Sequence, residues 1–153
     1  MKYAVLVNTP IGWMALTEED GALVRADFST TPPDKVELLE TPLLARAAQE
    51  LAQYFAGGRE AFAVPLHPHG TPFQLRCWAA LQQIPYGQTR SYQEQAVMID
   101  NPRACRAVGM ANHCNPLPIF IPCHRVVGKN GALIGYGGGL SIKERLLRLE
   151  SHR

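Results

Sequence analysis

Residues 91–112 read Ser-Tyr-Gln-Glu-Gln-Ala-Val-Met-Ile-Asp-Asn-Pro-Arg-Ala-Cys-Arg-Ala-Val-Gly-Met-Ala-Asn, and this stretch decides the fold of the second half of the chain. Ser91 and Glu94 have the Ser-x-x-Glu spacing of a capping box, which predicts a short helix to about Ile99. Asp100-Asn101-Pro102 breaks the chain, and a second helix rich in Arg and Ala follows. Two short helices joined in this way are typical of a helix-turn-helix, although an ordinary αα-hairpin has the same pattern.

Helices are also predicted on both sides of this pair. Thr71 and Pro72 are an N-cap and first-turn pair, and the helix that they open ends at Pro85-Tyr86-Gly87. Ser141 and Glu144 repeat the capping-box spacing, which predicts a last helix with an apolar face.

The first seventy residues have a different pattern. Alternating apolar runs predict strands over residues 1–8, 13–17 and 22–28, with another one over 62–66. Thr41 and Pro42 predict the start of a helix that ends at Gly57-Gly58. Three prolines and a glycine in 65–72 predict a linker between two domains.

Composition limits the class of protein. The chain has 153 residues, 46% of them hydrophobic, which is enough for a packed core. No apolar run approaches ~20 residues, and the first ten residues lack a signal-peptide core, so we expect no membrane span and a cytoplasmic protein. The four Cys are then expected to be thiols.

Charge is unevenly distributed along the chain. Residues 1–70 carry five basic and nine acidic side chains, whereas residues 71–153 carry ten basic and four acidic ones. The two balances, −4 and +6, indicate that the second half meets a polyanion, although chance clustering on solvated faces would look the same.

Cys123 is the candidate nucleophile. Three prolines in 115–122 exclude a helix or a central strand there. Cys123 and His124 therefore follow a segment with a restricted backbone conformation. Adjacent side chains on an extended segment point apart, so His124 would act on the thiol through a water rather than directly. Most carboxylates of the second half belong to caps or turns, which leaves Glu150 to orient the base.

Two other interpretations remain open from these residues alone. Cys123 is a small buried core residue in the first, since that is the usual fate of a free Cys. In the second, zinc binds the two adjacent pairs His113-Cys114 and Cys123-His124, although structural zinc sites favour wider ligand spacing.

The motif Ile121-Pro122-Cys123-His124-Arg125-Val126 resembles the active-site motif of the O6-alkylguanine-DNA alkyltransferases (methylated-DNA–protein-cysteine methyltransferases). The resemblance extends over residues 71–153, through Arg106-Ala-Val-Gly109, Asn115-Pro116, Gly135-Tyr136-Gly137-Gly138 and the residues around Glu150. Residues 1–70 are similar only in general layout.

The resemblance implies a single-turnover repair protein that flips an O6-alkylguanine, and less readily an O4-alkylthymine, out of duplex DNA. The alkyl group passes to Cys123, which His124 and Glu150 activate, while Tyr92 donates to guanine N3. Asn115 is the implied hinge that ties the helix-turn-helix to the active-site segment. The implied pocket residues are Val126, Ile134, Tyr136 and Gly137, with Asn112 and Ile134 at the rim. Arg125 and Lys143 are implied to be structural or electrostatic support.

The resemblance also implies the DNA contacts. Arg106 fills the gap that the flipped base leaves, and the other implied DNA-binding residues are Tyr92, Arg103, Arg90, Arg76, Ala104 and Ala107. It implies no cofactor, a monomer able to cluster on DNA, and a bacterial-type cytoplasmic protein that works on the nucleoid. Some members of the family hold zinc in the first domain through Cys and His, but residues 1–70 contain no Cys, so we expect no metal.

We therefore expect an α+β protein of two domains. Residues 1–70 form a small ribonuclease H-like β-sheet domain with a helix, and residues 71–153 form a helical, winged-helix-like domain that binds DNA and carries the alkyltransferase site. Two rivals belong to other classes: a lesion-binding module in which Cys123 is inert, and the zinc-stabilised DNA-binding protein.

Overall fold

The computed structural model describes residues 1–136 and 138–151. The chain divides into two compact units, Met1–His69 and Gly70–Arg153. None of the helices in the described ranges is long and apolar enough to cross a membrane.

The first unit is a sheet with one helix. Its strands are β1 (Lys2–Thr9), β2 (Gly12–Glu19), β3 (Ala22–Phe28) and β4 (Glu37–Leu38), and its helix is α1 (Pro42–Phe55). The strand order is β3-β2-β1-β4, with antiparallel hairpins and a parallel edge pair between β1 and β4. The predicted strand over 62–66 is reduced to a single bridge between Leu23 and Leu66.

Helix α1 begins and packs as its sequence predicts. The side chain of Thr41 accepts a hydrogen bond from the Leu44 amide, and Pro42 occupies the first turn. The buried face packs on β1, β2 and β3, with these residues turned inward: Leu44, Ala47, Glu50, Leu51 and Tyr54.

The second unit is mainly helical. Its elements are α2 (Pro72–Leu81), β5 (Arg90–Ser91), α3 (Tyr92–Met98), α4 (Cys105–His113), β6 (Val126–Val127) and α5 (Leu140–Ser151). A small parallel pair of β5 and β6, absent from the sequence prediction, places Arg90 opposite Val126. This pair joins the start of α3 to the strand that follows Cys123.

Two helices of the second unit begin with a capping box. Thr71 with Gln74 caps α2, and Ser91 with Glu94 caps α3. The predicted box at Ser141 is wrong, because α5 begins at Leu140 and Ser141 therefore lies inside its first turn. Glu144 instead pairs with Arg148 one turn further along α5.

A reciprocal pair of amides lies in the core between α3 and α4. Gln95 Nε2 donates to Asn112 Oδ1 at 3.0 Å, and Asn112 Nδ2 donates to Gln95 Oε1 at 2.7 Å. Gln95 also donates to the Cys77 carbonyl of α2. Both side chains are buried, so the paired amides hold Asn112 in the core between the two helices.

Candidate active site

Cys123 is presented by a strained, tightly bonded segment. Asn115 Nδ2 donates to the Ile121 carbonyl at 2.8 Å, and its Oδ1 accepts from the Leu117 amide at 2.9 Å. Ile119 has a φ of 76°, which is rare for a β-branched residue and costs about 1–3 kcal/mol of backbone strain. Cys123 then begins a 3₁₀ turn that ends at Arg125. The prolines and Asn115 therefore fix where the thiol lies.

The thiol itself is buried and protonated at neutral pH. Burial raises the pKa of Cys123 to about 11, although a hydrogen bond from Asn115 and the positive charge of Lys143 act in the opposite direction. A thiol of this kind needs a base to become a nucleophile.

His124, the predicted base, is paired with a buried carboxylate. His124 Nε2 lies 2.7 Å from Glu150 Oε2, and both side chains are buried. Burial lowers the pKa of His124, despite the hydrogen bond and negative charge of Glu150, so the imidazole is neutral. Glu150 accepts the Nε2 hydrogen, which leaves Nδ1 as the basic nitrogen. Nδ1 has no hydrogen-bond partner among the residues that the structure describes.

Glu150 is held by Arg125 as well as by His124. Arg125 Nε donates to Glu150 Oε1 at 2.8 Å, Nη2 donates to Oε2 at 3.1 Å, and Nη1 donates to the Ile84 carbonyl at 2.8 Å. Burial would raise the pKa of Glu150, but the His124 and Arg125 contacts outweigh it and lower that pKa to about 2. The carboxylate is therefore charged at all physiological pH values.

Tyr92 and Ile134 meet at one backbone carbonyl. Tyr92, the first residue of α3, donates its hydroxyl to the Ile134 carbonyl at 2.9 Å. Burial raises the pKa of Tyr92, so its hydroxyl stays a donor. The Ile134 side chain is 50% exposed. Gly135 has a φ of +62°, and a Cβ there would lie 3.3 Å from the Tyr92 hydroxyl oxygen.

Other predicted pocket residues lie near the thiol. Tyr136 is buried, and burial raises its pKa well above its usual value. Val126 is buried in β6, and its carbonyl accepts from Lys143 Nζ at 2.6 Å. Gly137, also predicted to line the pocket, lies outside the described residues.

The predicted DNA-binding residues fall into two groups. Arg103, Arg106 and Ala107 are exposed at the turn before α4 and on α4, with Ala104 half-buried at the N-cap of α4. Arg76 donates across 23 positions to the Ile99 carbonyl at the end of α3. Arg90 makes local bonds to the 88–89 turn.

Two features of the structure were not predicted from the sequence. Lys143 is fully buried, and no spacing rule predicts a buried ammonium. Gln95 and Asn112 are polar residues at core positions of α3 and α4. Their place on the inward face of two short helices is the signal that could have revealed them.

A metal centre finds no support in the described ranges 1–136 and 138–151. They hold no group of three or more His, Cys, Asp or Glu side chains suited to a metal ion. His113 and Cys114 are exposed at the end of α4, whereas Cys123 and His124 are buried. The zinc interpretation is therefore not supported by these residues.

A cleft of about 530 Å³ is lined in part by Glu150. Its walls include Glu144, Leu147 and Glu150 of α5, the 87–89 turn and Val127. Cys123 does not line it, so this cleft is separate from the space in which the thiol would react.

Two family models together match almost the whole chain. The DNA-binding domain of 6-O-methylguanine DNA methyltransferase matches residues 72–152, and the ribonuclease-like domain of the same family matches residues 1–68. The chain belongs to the 6-O-methylguanine DNA methyltransferase family.

Relatives of this family match the chain over nearly its full length. The constitutive methylated-DNA–protein-cysteine methyltransferase of Bacillus subtilis is 46% identical and covers 98% of this chain and 96% of its own. The crystal structure of Mycobacterium tuberculosis O6-methylguanine methyltransferase is 41% identical, with a TM-score of 0.91 over 100% of this chain and 94% of its own. A complex of the M. tuberculosis protein with DNA has the same TM-score over 98% and 93%. The predicted family and α+β fold are thus confirmed.

Proposed function

We propose that this protein repairs O6-alkylguanine in duplex DNA by moving the alkyl group to Cys123, once per molecule. The observation that carries the proposal is the buried chain of contacts from the Cys123 segment through His124 to Glu150 and Arg125. The family membership supports the same reaction.

The chemistry balances without a cofactor. His124 Nδ1, through a water molecule, takes the thiol proton from Cys123, and Glu150 stabilises the imidazolium that forms. The Sγ–carbon bond then forms as the bond from that carbon to guanine O6 breaks. The electron pair of the broken bond stays on the purine, which takes up the proton held by the imidazolium and remains in the DNA as guanine. The thioether product is stable, so the protein is consumed.

The leaving purine needs a hydrogen-bond donor. Tyr92 is the donor that we assign to guanine N3, where it would stabilise the charge that develops in the transition state. In the free protein its hydroxyl is donated to the Ile134 carbonyl. Substrate binding therefore exchanges one acceptor for another. The Val126 carbonyl has a second lone pair for the exocyclic amine beside its bond to Lys143.

The lesion must leave the base stack to reach a buried thiol. Arg106, exposed on α4, would fill the space left in the duplex. Arg103 and the alanines 104 and 107 would lie along the phosphate backbone, with Arg76 and Arg90 beside them. The balance of +6 in residues 71–153 suits such contacts, which carry affinity but little sequence preference.

Intact mass tests the proposal. A duplex carrying O6-methylguanine is incubated with the protein, and we expect the gain of one methyl group, mapped to Cys123. Cys123→Ser should gain none, whereas Cys114→Ser, which removes an exposed thiol at the end of α4, should react like the wild type. Binding of the lesion without any gain of mass would favour a lesion-binding protein instead.

A further inference from the structure

Lys143 is the buried charge that the reaction above leaves without a role. Its side chain is fully buried in α5. Its ammonium donates to three backbone carbonyls: Val126 at 2.6 Å, Ile134 at 2.9 Å and Gly135 at 3.2 Å. A buried ammonium costs several kcal/mol of desolvation unless its hydrogen bonds are satisfied, so these three bonds are what makes the position tolerable.

The three carbonyls belong to two different parts of the site. Val126 lies in β6, directly after the turn that holds Cys123, whereas Ile134 and Gly135 lie in the segment that precedes α5. The ammonium therefore joins the backbone beside the nucleophile to the backbone on the other side of the expected base pocket.

Tyr92 shares one of these acceptors. The Ile134 carbonyl accepts from both the Tyr92 hydroxyl and Lys143 Nζ, each at 2.9 Å. The ammonium also lies 5.9 Å from the centre of the Tyr92 ring, within cation–π range. When Tyr92 turns its hydroxyl toward a purine, Lys143 still holds the carbonyl that Tyr92 releases.

We propose that Lys143 is a positioning residue, whose ammonium fixes the 134–135 backbone against β6 so that the base pocket keeps its shape while Tyr92 exchanges its acceptor. The proposal rests on the proposed function, since the pocket is the one assigned to the alkylated base. Lys143 touches no reacting atom, and its effect passes through the three carbonyls.

Two reactions of Cys123 separate positioning from a simple effect on the thiol. Transfer from the free O6-methylguanine base needs both the thiol and the pocket, whereas alkylation by iodoacetamide needs only the thiol. The ratio of the two rates, mapped at Cys123, cancels any change in thiolate supply. Lys143→Met, which keeps length but removes the donors, should lower this ratio at least about tenfold, since a misplacement of about 1 Å is enough for such a loss.

Two controls accompany that variant. Arg148→Met removes an exposed cation from the same helix and should leave the ratio unchanged. Lys143→Gln keeps two amide donors and should fall between the wild type and Lys143→Met. A wild-type ratio in Lys143→Met would overturn the proposal. This includes an equal loss of both rates, which leaves the ratio unchanged and would show that the lysine acts only through its charge on the thiol.

The wild-type protein provides a test that does not depend on a variant folding. Burial lowers the pKa of Lys143 to about 8, against the negative charge of a Cys123 thiolate. The titratable groups that interact with it directly are Cys123, Tyr92 and His124. Glu150 and Arg125 lie behind His124, and Tyr136 interacts with Cys123 and Glu150. Burial raises the pKa values of the Cys and both Tyr residues, while those of His124 and Glu150 are lowered.

The rate ratio in the wild type should therefore be level below about pH 7 and fall as the pH rises through about 8, where the ammonium loses its proton. A level ratio across that range would overturn the proposal. Failure of the proposed function would be a different result, since the wild-type protein would then gain no methyl group at Cys123.

Discussion

His124 Nε2 and Glu150 Oε2 lie 2.7 Å apart with both side chains buried, and the same carboxylate receives two N–H groups of Arg125. This relationship fixes the tautomer of the imidazole, because the nitrogen that faces Glu150 must carry the hydrogen. It also connects the last helix of the described chain to the turn that carries the nucleophile.

Glu150→Gln should slow alkyl transfer by about 10²-fold, because the imidazolium loses its stabilising charge. It should also lower the free energy of unfolding by about 3 kcal/mol, since Arg125 is left as a buried charge without its partner. Affinity for duplex DNA should stay unchanged. Single-turnover kinetics, chemical denaturation and a binding titration measure the three quantities.

The control is Glu144→Gln, which changes an exposed glutamate on the same helix and should change the free energy of unfolding by less than about 0.5 kcal/mol. Unaltered kinetics in Glu150→Gln would remove this carboxylate from the reaction.

Acid should weaken the fold through the same carboxylate. The pKa of Glu150 is lowered to about 2 from 4.5, so its contribution to stability is complete above about pH 4.5 and is lost as the pH falls toward 2. The contribution is on the order of 3 kcal/mol. The lowered pKa of His124 acts in the same direction below about pH 6.5. Denaturation between pH 7 and pH 3 should show a smaller loss for Glu150→Gln than for the wild type, and equal losses would contradict the assignment.

Arg106→Ala should separate base flipping from chemistry. The Arg106 side chain is exposed on α4, six positions before Asn112, the residue of this helix that pairs with Gln95. Repair of a duplex should slow by about tenfold or more, because unstacking a base costs a few kcal/mol that the arginine offsets. Reaction with the free O6-methylguanine base should be unchanged. Equal loss on both substrates would rule out the role in the base stack.

Ile134→Ala should widen the range of alkyl groups. The half-exposed side chain stands over Gly128, where an added Cβ would lie 3.0 Å from the Ile134 Cδ1 atom. Its removal should raise the benzyl-to-methyl rate ratio by about tenfold, the usual effect of opening a small apolar pocket. Competition between O6-benzylguanine and O6-methylguanine bases measures the ratio. An unchanged ratio would show that Ile134 does not limit the alkyl group.

The sequence predicted the elements that local signals define. Thr71, Ser91 and Thr41 mark helix starts that the structure contains, because capping depends on neighbours three residues away. The predicted start at Ser141 failed since Gly139 accepts from the Lys143 amide and α5 begins at Leu140. A capping-box spacing fits several registers when polar residues are frequent.

Long-range contacts lay beyond the sequence. Elimination of the other carboxylates predicts Glu150, and the structure brings it to His124, but the two hydrogen bonds from Arg125 to the same carboxylate follow only from the tertiary fold. The burial of Lys143 depends on the path of the 134–135 backbone in the same way.

The amide pair of Gln95 and Asn112 has a consequence for how the gene for this chain can change in length. The partners are separated by 17 positions, and each amide is the other's hydrogen-bond partner in the core. One codon inserted within α4 before Asn112 would rotate the end of that helix by about 100°. The two buried amides would then lose their hydrogen bonds to each other. Insertions in the exposed turn of residues 100–103 would leave both helical faces as they are. Length variation in this part of the family is therefore expected at the turn, while the two helices change by substitution alone.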